Sequence, residues 1–171
     1  WIPEDVDEAE LRRAADVLDA WDRTAGPEAV GALLFDRWLR IYTDTLPDSL
    51  AWAEPWDVTR PRDTPRGVGQ PRDAVRALAE AMDEATERWG AWDLPWGEVH
   101  RARLGDVDLP SPGCSNLAGC FRILEYREAD DGLLEVRRGD GWIFAVEFTD
   151  PLDARTILAY GQTNDPEPPH H

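Results

Sequence analysis

Histidine and cysteine are the scarce chemistry-bearing residues of this chain, so their positions are where a site is sought first. Two of the three histidines, His170 and His171, are its last residues. His100 is the sole internal one, in the run "WGEVHRAR". Glu98 stands two residues before it and Arg101 beside it, a setting in which an imidazole can act as acid or base. No serine or cysteine occupies a recognisable nucleophile motif that it would activate. The favoured reading is a structural histidine whose ring nitrogens bond to backbone. Cys114 and Cys120, the only cysteines, bracket "CSNLAGC". No further cysteine or nearby histidine completes a zinc set, so no metal is expected. The even count and loop setting favour a local disulfide over two reduced thiols, and a bridge would point to an oxidising compartment.

Carboxylates are abundant, but "EADDG" and "RRGDG" read as turn chemistry, where Asp and Gly supply local hydrogen bonds and positive dihedrals. The stretch "WGAWDLPWGEV" sets Trp89, Trp92 and Trp96 close together. They form either a platform for a sugar or acyl group or, the favoured reading, a plug at the edge of a core. Trp92, Trp96 and His100 are the candidate substrate contacts. No phosphate loop, EF-hand or zinc-protease motif is present, and no cofactor is expected.

These residues sit in a chain long enough to build one domain with a real core: 171 residues, 42% hydrophobic, with nine tryptophans. Its 35 acidic residues against 18 basic ones, every one of them arginine, give a formal charge of -17. A polyanion would be repelled, so nucleic acid is excluded as a partner. No apolar run approaches the roughly 20 residues needed to cross a bilayer, and no basic-then-apolar signal segment opens the chain. A soluble protein without membrane insertion is expected, any export signal having been removed or lying outside this piece, and the disulfide expected at Cys114 and Cys120 would make its setting periplasmic or secreted.

The elements that must position the candidates change character along the chain. Leu11, Ala14, Leu18 and Trp21 recur at helical spacing. Val30, Leu34, Trp38 and Ile41 do so again, widened by Phe35, Leu39 and Tyr42, with Pro27 suited to the first turn. Residues 47–71, rich in Pro and Gly, read as an ordered surface connection, packed because Trp52 and Trp56 would otherwise be an association hazard. Val75, Leu78, Ala79, Met82, Ala85 and Trp89 mark a third helix, stopped by Gly90. Beyond it the period becomes twofold in "CFRILEY", "LLEVRR", "WIFAVEF" and "ARTILAY". In the third of these runs Trp142, Phe144, Val146 and Phe148 share one face. The expectation is α+β: three helices followed by an antiparallel β-meander. The chain reads as a single partial domain, with a helical part (1–90), a loop (91–119), the meander (120–160) and an open C-terminal loop (161–171).

Three stretches, "AADVLDAWDRTAGPEAVGALLFDRWLRIY", "WGEVHRARLGDVDLPSPG" and "EFTDPLDARTILAYGQTNDPEPPHH", resemble successive segments of the β subunit of the penicillin acylase family. The similarity is greatest to the branch holding acyl-homoserine-lactone acylases and aculeacin A acylase. It implies an N-terminal-nucleophile (Ntn) hydrolase of αββα architecture, whose precursor cuts itself into α and β chains. The freed terminal residue, usually Ser, attacks an amide carbonyl with its own α-amino group as base, and an Asn side chain and backbone N–H groups stabilise the oxyanion. The matching segments belong to the C-terminal part of that β chain. Position 1 is Trp1, and the catalytic residues are therefore expected outside this chain, which reads as incomplete at both ends. Its partners would be the remaining α and β segments of the same acylase and a small acyl-amide substrate. The leaving group is left open between homoserine lactone, a cyclic peptide and a β-lactam nucleus. Two alternatives stand beside this reading: a secreted acidic binding module using Trp52, Trp56, Trp92 or Trp96, and a degraded homologue kept for interaction.

Overall fold

The structure is a computed structural model and describes residue 2 and residues 6–158. Three helices of useful length form the first layer. Helix α1 (Glu8–Ala20) starts where the Asp7 carboxylate accepts from the Ala9 N–H at 2.8 Å, with Glu8 and Glu10 favourably placed in its first turn. Helix α2 (Ala32–Thr45) begins two residues after Val30, which lies outside the helix in an isolated bridge to Pro95. Gly31 sets that late start. It holds φ 100° at the N-cap, and a Cβ there would meet Trp21 Cβ at 2.9 Å, so neither the conformation nor the space suits another residue. The short α3 (Asp48–Ala51) follows. Helix α4 (Pro71–Trp89) has Pro at its first position and ends at Gly90, whose left-handed conformation lets its N–H reach the Thr86 carbonyl at 2.9 Å.

Helices α1, α2 and α4 bury Leu11, Ala14, Leu34, Met82 and Ala85 in a common core with Trp92. Residues 47–71 are ordered, as expected, and carry a small ribbon of β1 (Trp52–Glu54) and β2 (Arg66–Val68) paired antiparallel. Tyr42, fully buried on α2, fastens this excursion: its hydroxyl donates to the Ala51 carbonyl at 2.6 Å and accepts from the Gln70 N–H at 3.1 Å. Trp52 is half-buried, whereas Trp56 is 61% exposed, contrary to the expectation that both indoles pack.

The chain is α+β, with helices followed by antiparallel strands. The stretch 91–119 is more than the loop expected from its composition. It holds α5 (Trp96–Val99), β3 (His100–Leu104), β4 (Val107–Pro110) and a 3-10 turn (Asn116–Ala118). The strands β5 (Leu124–Glu128), β6 (Leu134–Gly139), β7 (Trp142–Glu147) and β8 (Asp153–Leu158) match the four twofold runs, but they form two sheets. One has the order β4-β3-β6-β5 and the other is the hairpin β7-β8. The reason is edge occupancy. Strand β6 has β5 on one side and β3 on the other, the latter parallel with His100 opposite Leu134, so no edge is left for β7. Asp140 closes the exit, its N–H donating to the Ile123 carbonyl at 3.0 Å and its carboxylate accepting from the Ile123 N–H at 2.9 Å. The Trp142 and Phe144 rings stack 5.5 Å apart on the β7-β8 hairpin, in solvent, and Phe148 beside them is 88% exposed.

Candidate functional site

His100 opens β3 and is only 2% exposed, packed between two aromatic rings. Trp96, one helical turn earlier, stacks on it with centroids 3.4 Å apart and planes 5° from parallel. The Tyr126 ring meets it edge-on at 4.5 Å. Nδ1 lies 3.1 Å from the Trp96 carbonyl, an acceptor, so Nδ1 carries the proton and Nε2 is left with its lone pair. Burial pushes the imidazole pKa down to about 3, outweighing the Trp96 carbonyl, and the positive Arg40 and Arg37 add to the depression. The ring is neutral at physiological pH.

Around it the polar groups are committed to one another. The Tyr126 hydroxyl donates to the Gly113 carbonyl at 2.9 Å and lies 3.1 Å from the Ser111 hydroxyl. Burial pushes that phenol up. Its neighbour, the indole nitrogen of Trp96, is buried without a partner in hydrogen-bonding geometry, yet lies close enough to draw the phenol's pKa down in part. Asp36, buried on α2, accepts from Arg40 Nε at 2.8 Å, and Arg40 Nη2 also donates to Ser115 Oγ at 3.0 Å. A second junction ties the layers: Glu84 on α4 takes Arg37 Nη2 on both oxygens at 2.7 Å and Arg88 Nη1 at 3.1 Å. Arg88 Nη2 donates onward to Glu128 of β5 at 2.7 Å. Burial raises the Glu84 pKa, but the two guanidiniums more than reverse it and hold it below the usual value.

A cavity of about 430 Å³ opens between α2, the Cys114–Cys120 loop and β5, with Trp96, His100 and Tyr126 among its walls. The serines present do not make a nucleophile of it. Ser111 is bonded to Tyr126 and Ser115 to Arg40, and neither hydroxyl bonds to His100. Cys114 and Cys120 are joined in a disulfide. Glu98 is exposed, and Arg101 turns to Asp108 at 2.8 Å, so neither sequence neighbour serves the imidazole. The arrangement holds a neutral histidine in place and offers no activated oxygen or sulfur.

The structure does not gather Trp92 and Trp96 into one platform. Trp92 is buried in the α1-α4 core, its N–H donating to Glu10 Oε2 at 3.4 Å and its face covered by the Arg13 guanidinium at 4.4 Å. Trp96 is 1% exposed in a second core cluster with Leu33, Val99 and Cys114. Trp89 packs against both clusters, with its N–H on the Gly132 carbonyl at 3.0 Å. His170 and His171 lie outside the described residues. Asp36, Arg40 and Tyr126 escaped notice in the sequence. The signal for the first two was an Asp–Arg pair four residues apart inside the apolar run "LLFDRWLR", where a carboxylate is worth asking about.

The sequence profile of the penicillin amidase family matches residues 2–171. The chain belongs to that family. Within it, the chain is similar to the acyl-homoserine lactone acylase PvdQ of Pseudomonas fluorescens strain Pf-5, with 32% identity over 159 residues. That similarity takes in 90% of this chain and 20% of the relative, so the chain spans about a fifth of the length of the curated relative it matches.

Proposed function

We propose that this penicillin amidase family chain is a scaffold segment of an acylase that hydrolyses an acyl amide bond by an N-terminal nucleophile carried on another segment. The observation behind the proposal is the family match along residues 2–171 combined with the span of only a fifth of the relative. Two structural features support it. The serines nearest His100, Ser111 and Ser115, bond to Tyr126 and Arg40 instead of to the imidazole, whose Nδ1 donates to the Trp96 carbonyl and whose burial, pushing its pKa down to about 3, leaves Nε2 a weak base. The β7-β8 hairpin also carries an aromatic face, with Trp142 and Phe144 in solvent, of the kind that further polypeptide covers. The remaining α and β segments of the acylase are the proposed cover.

For the substrate, the similarity to PvdQ favours N-acyl-homoserine lactones, ahead of lipopeptides and penicillin-type amides. The disulfide supports a periplasmic or secreted setting. Trp92, Trp96 and His100 are proposed to shape β3 and its neighbours, with at most an edge of Trp96 and His100 reachable from the cavity. The alternative of a Trp-based binding module loses Trp92 and Trp96, both buried.

The test is release of free amine from a series of N-acyl-homoserine lactones and a lipopeptide. It is run on the purified protein with all its polypeptides and on this chain separated from them. Hydrolysis is expected only when a polypeptide beginning with Ser, Thr or Cys is present. Hydrolysis by the separated chain, or none by the complete protein, would overturn the proposal.

A further inference from the structure

A cleft of about 880 Å³, whose lining does not include His100, runs between α1, α2, α4, the β1-β2 ribbon and the disulfide loop. Its volume is in the range of small-molecule sites, roughly 300–1,000 Å³. Trp21, Phe35, Trp38 and Trp52 line it together with Val75 and Leu78. The Trp21 and Trp38 N–H groups are already committed, to the Thr24 carbonyl at 2.8 Å and the Ala74 carbonyl at 3.0 Å. Those two rings therefore present apolar surface alone.

The charges at this cleft run against the whole chain. In a protein with 35 carboxylates, none lines it, and its two charged residues are Arg23 and Arg66. Elsewhere guanidiniums are mostly paired, as in Arg37 with Glu84, Arg40 with Asp36 and Arg138 with Glu125. Arg23 and Arg66 are exposed, and among the described residues neither makes an ion pair or a side-chain hydrogen bond. Arg23 is moreover the one non-glycine among the described residues held at positive φ, 62°, a conformation disfavoured for an ordinary side chain. It is fixed there by a turn in which Asp22 Oδ1 accepts from the Thr24 N–H at 2.9 Å and from its hydroxyl at 2.8 Å.

From this we infer that the cleft binds an aliphatic carboxylate, its chain against the aromatic floor and its anionic head between Arg23 and Arg66. An apolar body needs the wall, and a single negative head answers the two unpaired cations. A purely apolar ligand would leave the arginines unexplained, and a short anion would leave the aromatic wall exposed. The inference does not depend on the acylase reading, because its readout is binding.

The experiment titrates the purified protein, with all its polypeptides, with a terminally brominated undecanoate and follows quenching of tryptophan fluorescence. Competition by an octanoate-to-dodecanoate series and by decanol follows. Saturable quenching is expected, with affinity rising roughly fourfold per added methylene. Decanol should bind more weakly, and Arg23→Gln/Arg66→Gln should weaken the carboxylate roughly tenfold with less effect on decanol. Both arginines are exposed, so this variant should fold. Leu78→Trp, which fills the cleft from α4, should abolish quenching by occupancy instead of charge. Absence of saturable quenching, equal affinity for decanol, or unchanged affinity in the double-arginine variant would overturn the inference. The last result would place the carboxylate elsewhere in the protein.

Discussion

Lowering the pH should unload stability through His100 in a defined window. Its ring is sealed between Trp96 and Tyr126, with Nδ1–H on the Trp96 carbonyl, and burial first, then Arg40 and Arg37, pushes its pKa from 6.5 to about 3. The folded pKa is below the unfolded one, so the unfolded chain takes up the proton first. Above about 6.5 the group is neutral in both states and contributes no slope. Between about 6.5 and 3 stability falls as pH falls, by roughly 1.4 kcal/mol per unit, and below about 3 the loss levels off. Lowering the pH from neutral to the middle of that window therefore costs roughly 2–3 kcal/mol through this residue. Carboxylates with depressed pKa values, such as Asp108 beside Arg101, also lose stability in acid, so the raw curve mixes sources. The difference between the wild-type protein and His100→Gln removes them. Denaturant unfolding of both, from neutral pH into the acid window, should show the gap shift by that amount in the variant's favour. Imidazole resonances followed over the same range should show the His100 ring neutral, with Nδ1 protonated, until the protein unfolds. A pH-independent gap, or a ring titrating near 6.5, would show that the His100 ring is not held neutral by burial.

Other outcomes follow from particular contacts. Tyr42→Phe strips a partner from both the Ala51 carbonyl and the Gln70 N–H, and should cost about 2–3 kcal/mol in denaturant unfolding with early loss of amide protection at Gln70. Glu84→Gln leaves Arg37 and Arg88 half-buried without their shared carboxylate, and should destabilise by about 1–2 kcal/mol at neutral pH. That penalty should shrink as the wild-type Glu84 protonates in acid, since its depressed pKa contributes stability only above that range. Replacing Cys114 and Cys120 by Ser opens a loop with a sequence separation of 6 and should cost about 2 kcal/mol, read as a lower unfolding midpoint that reductant reproduces in the wild-type protein. Trp142→Thr with Phe144→Thr should leave the far-ultraviolet spectrum of the separated chain intact and reduce its self-association in sedimentation, because both rings are in solvent.

Much of the helical layer was legible because its signals are local. The Leu11-Ala14 spacing, the Pro71 start and the Gly90 stop each act within a few residues. The start of α2 was not, since Gly31 is demanded by Trp21 pressing on it from ten residues away. The strands were visible as twofold runs, but their division into two sheets depends on β3 claiming the edge of β6, a pairing between His100 and Leu134 that periodicity does not encode. His100 as a buried, backbone-bonded residue follows from the absence of any nucleophile motif near it. Trp92 and Trp96 are buried core residues, as the favoured reading had it, but they belong to two different clusters despite their closeness in sequence. The cleft with Arg23 and Arg66 joins residues 43 positions apart, and only the folded chain brings them to the lining of one cleft.

Catalysis is proposed to reside on residues outside this chain. This is tested most directly by trapping the acyl-enzyme intermediate of the complete protein with a slowly hydrolysed acyl amide or ester and locating the acyl group by mass spectrometry of each denatured polypeptide. The adduct is expected on the first residue of a polypeptide beginning with Ser, Thr or Cys, and none on residues 1–171 of this chain. An adduct on this chain, at Ser111, Ser115 or any other nucleophile in it, would place catalysis within these residues instead.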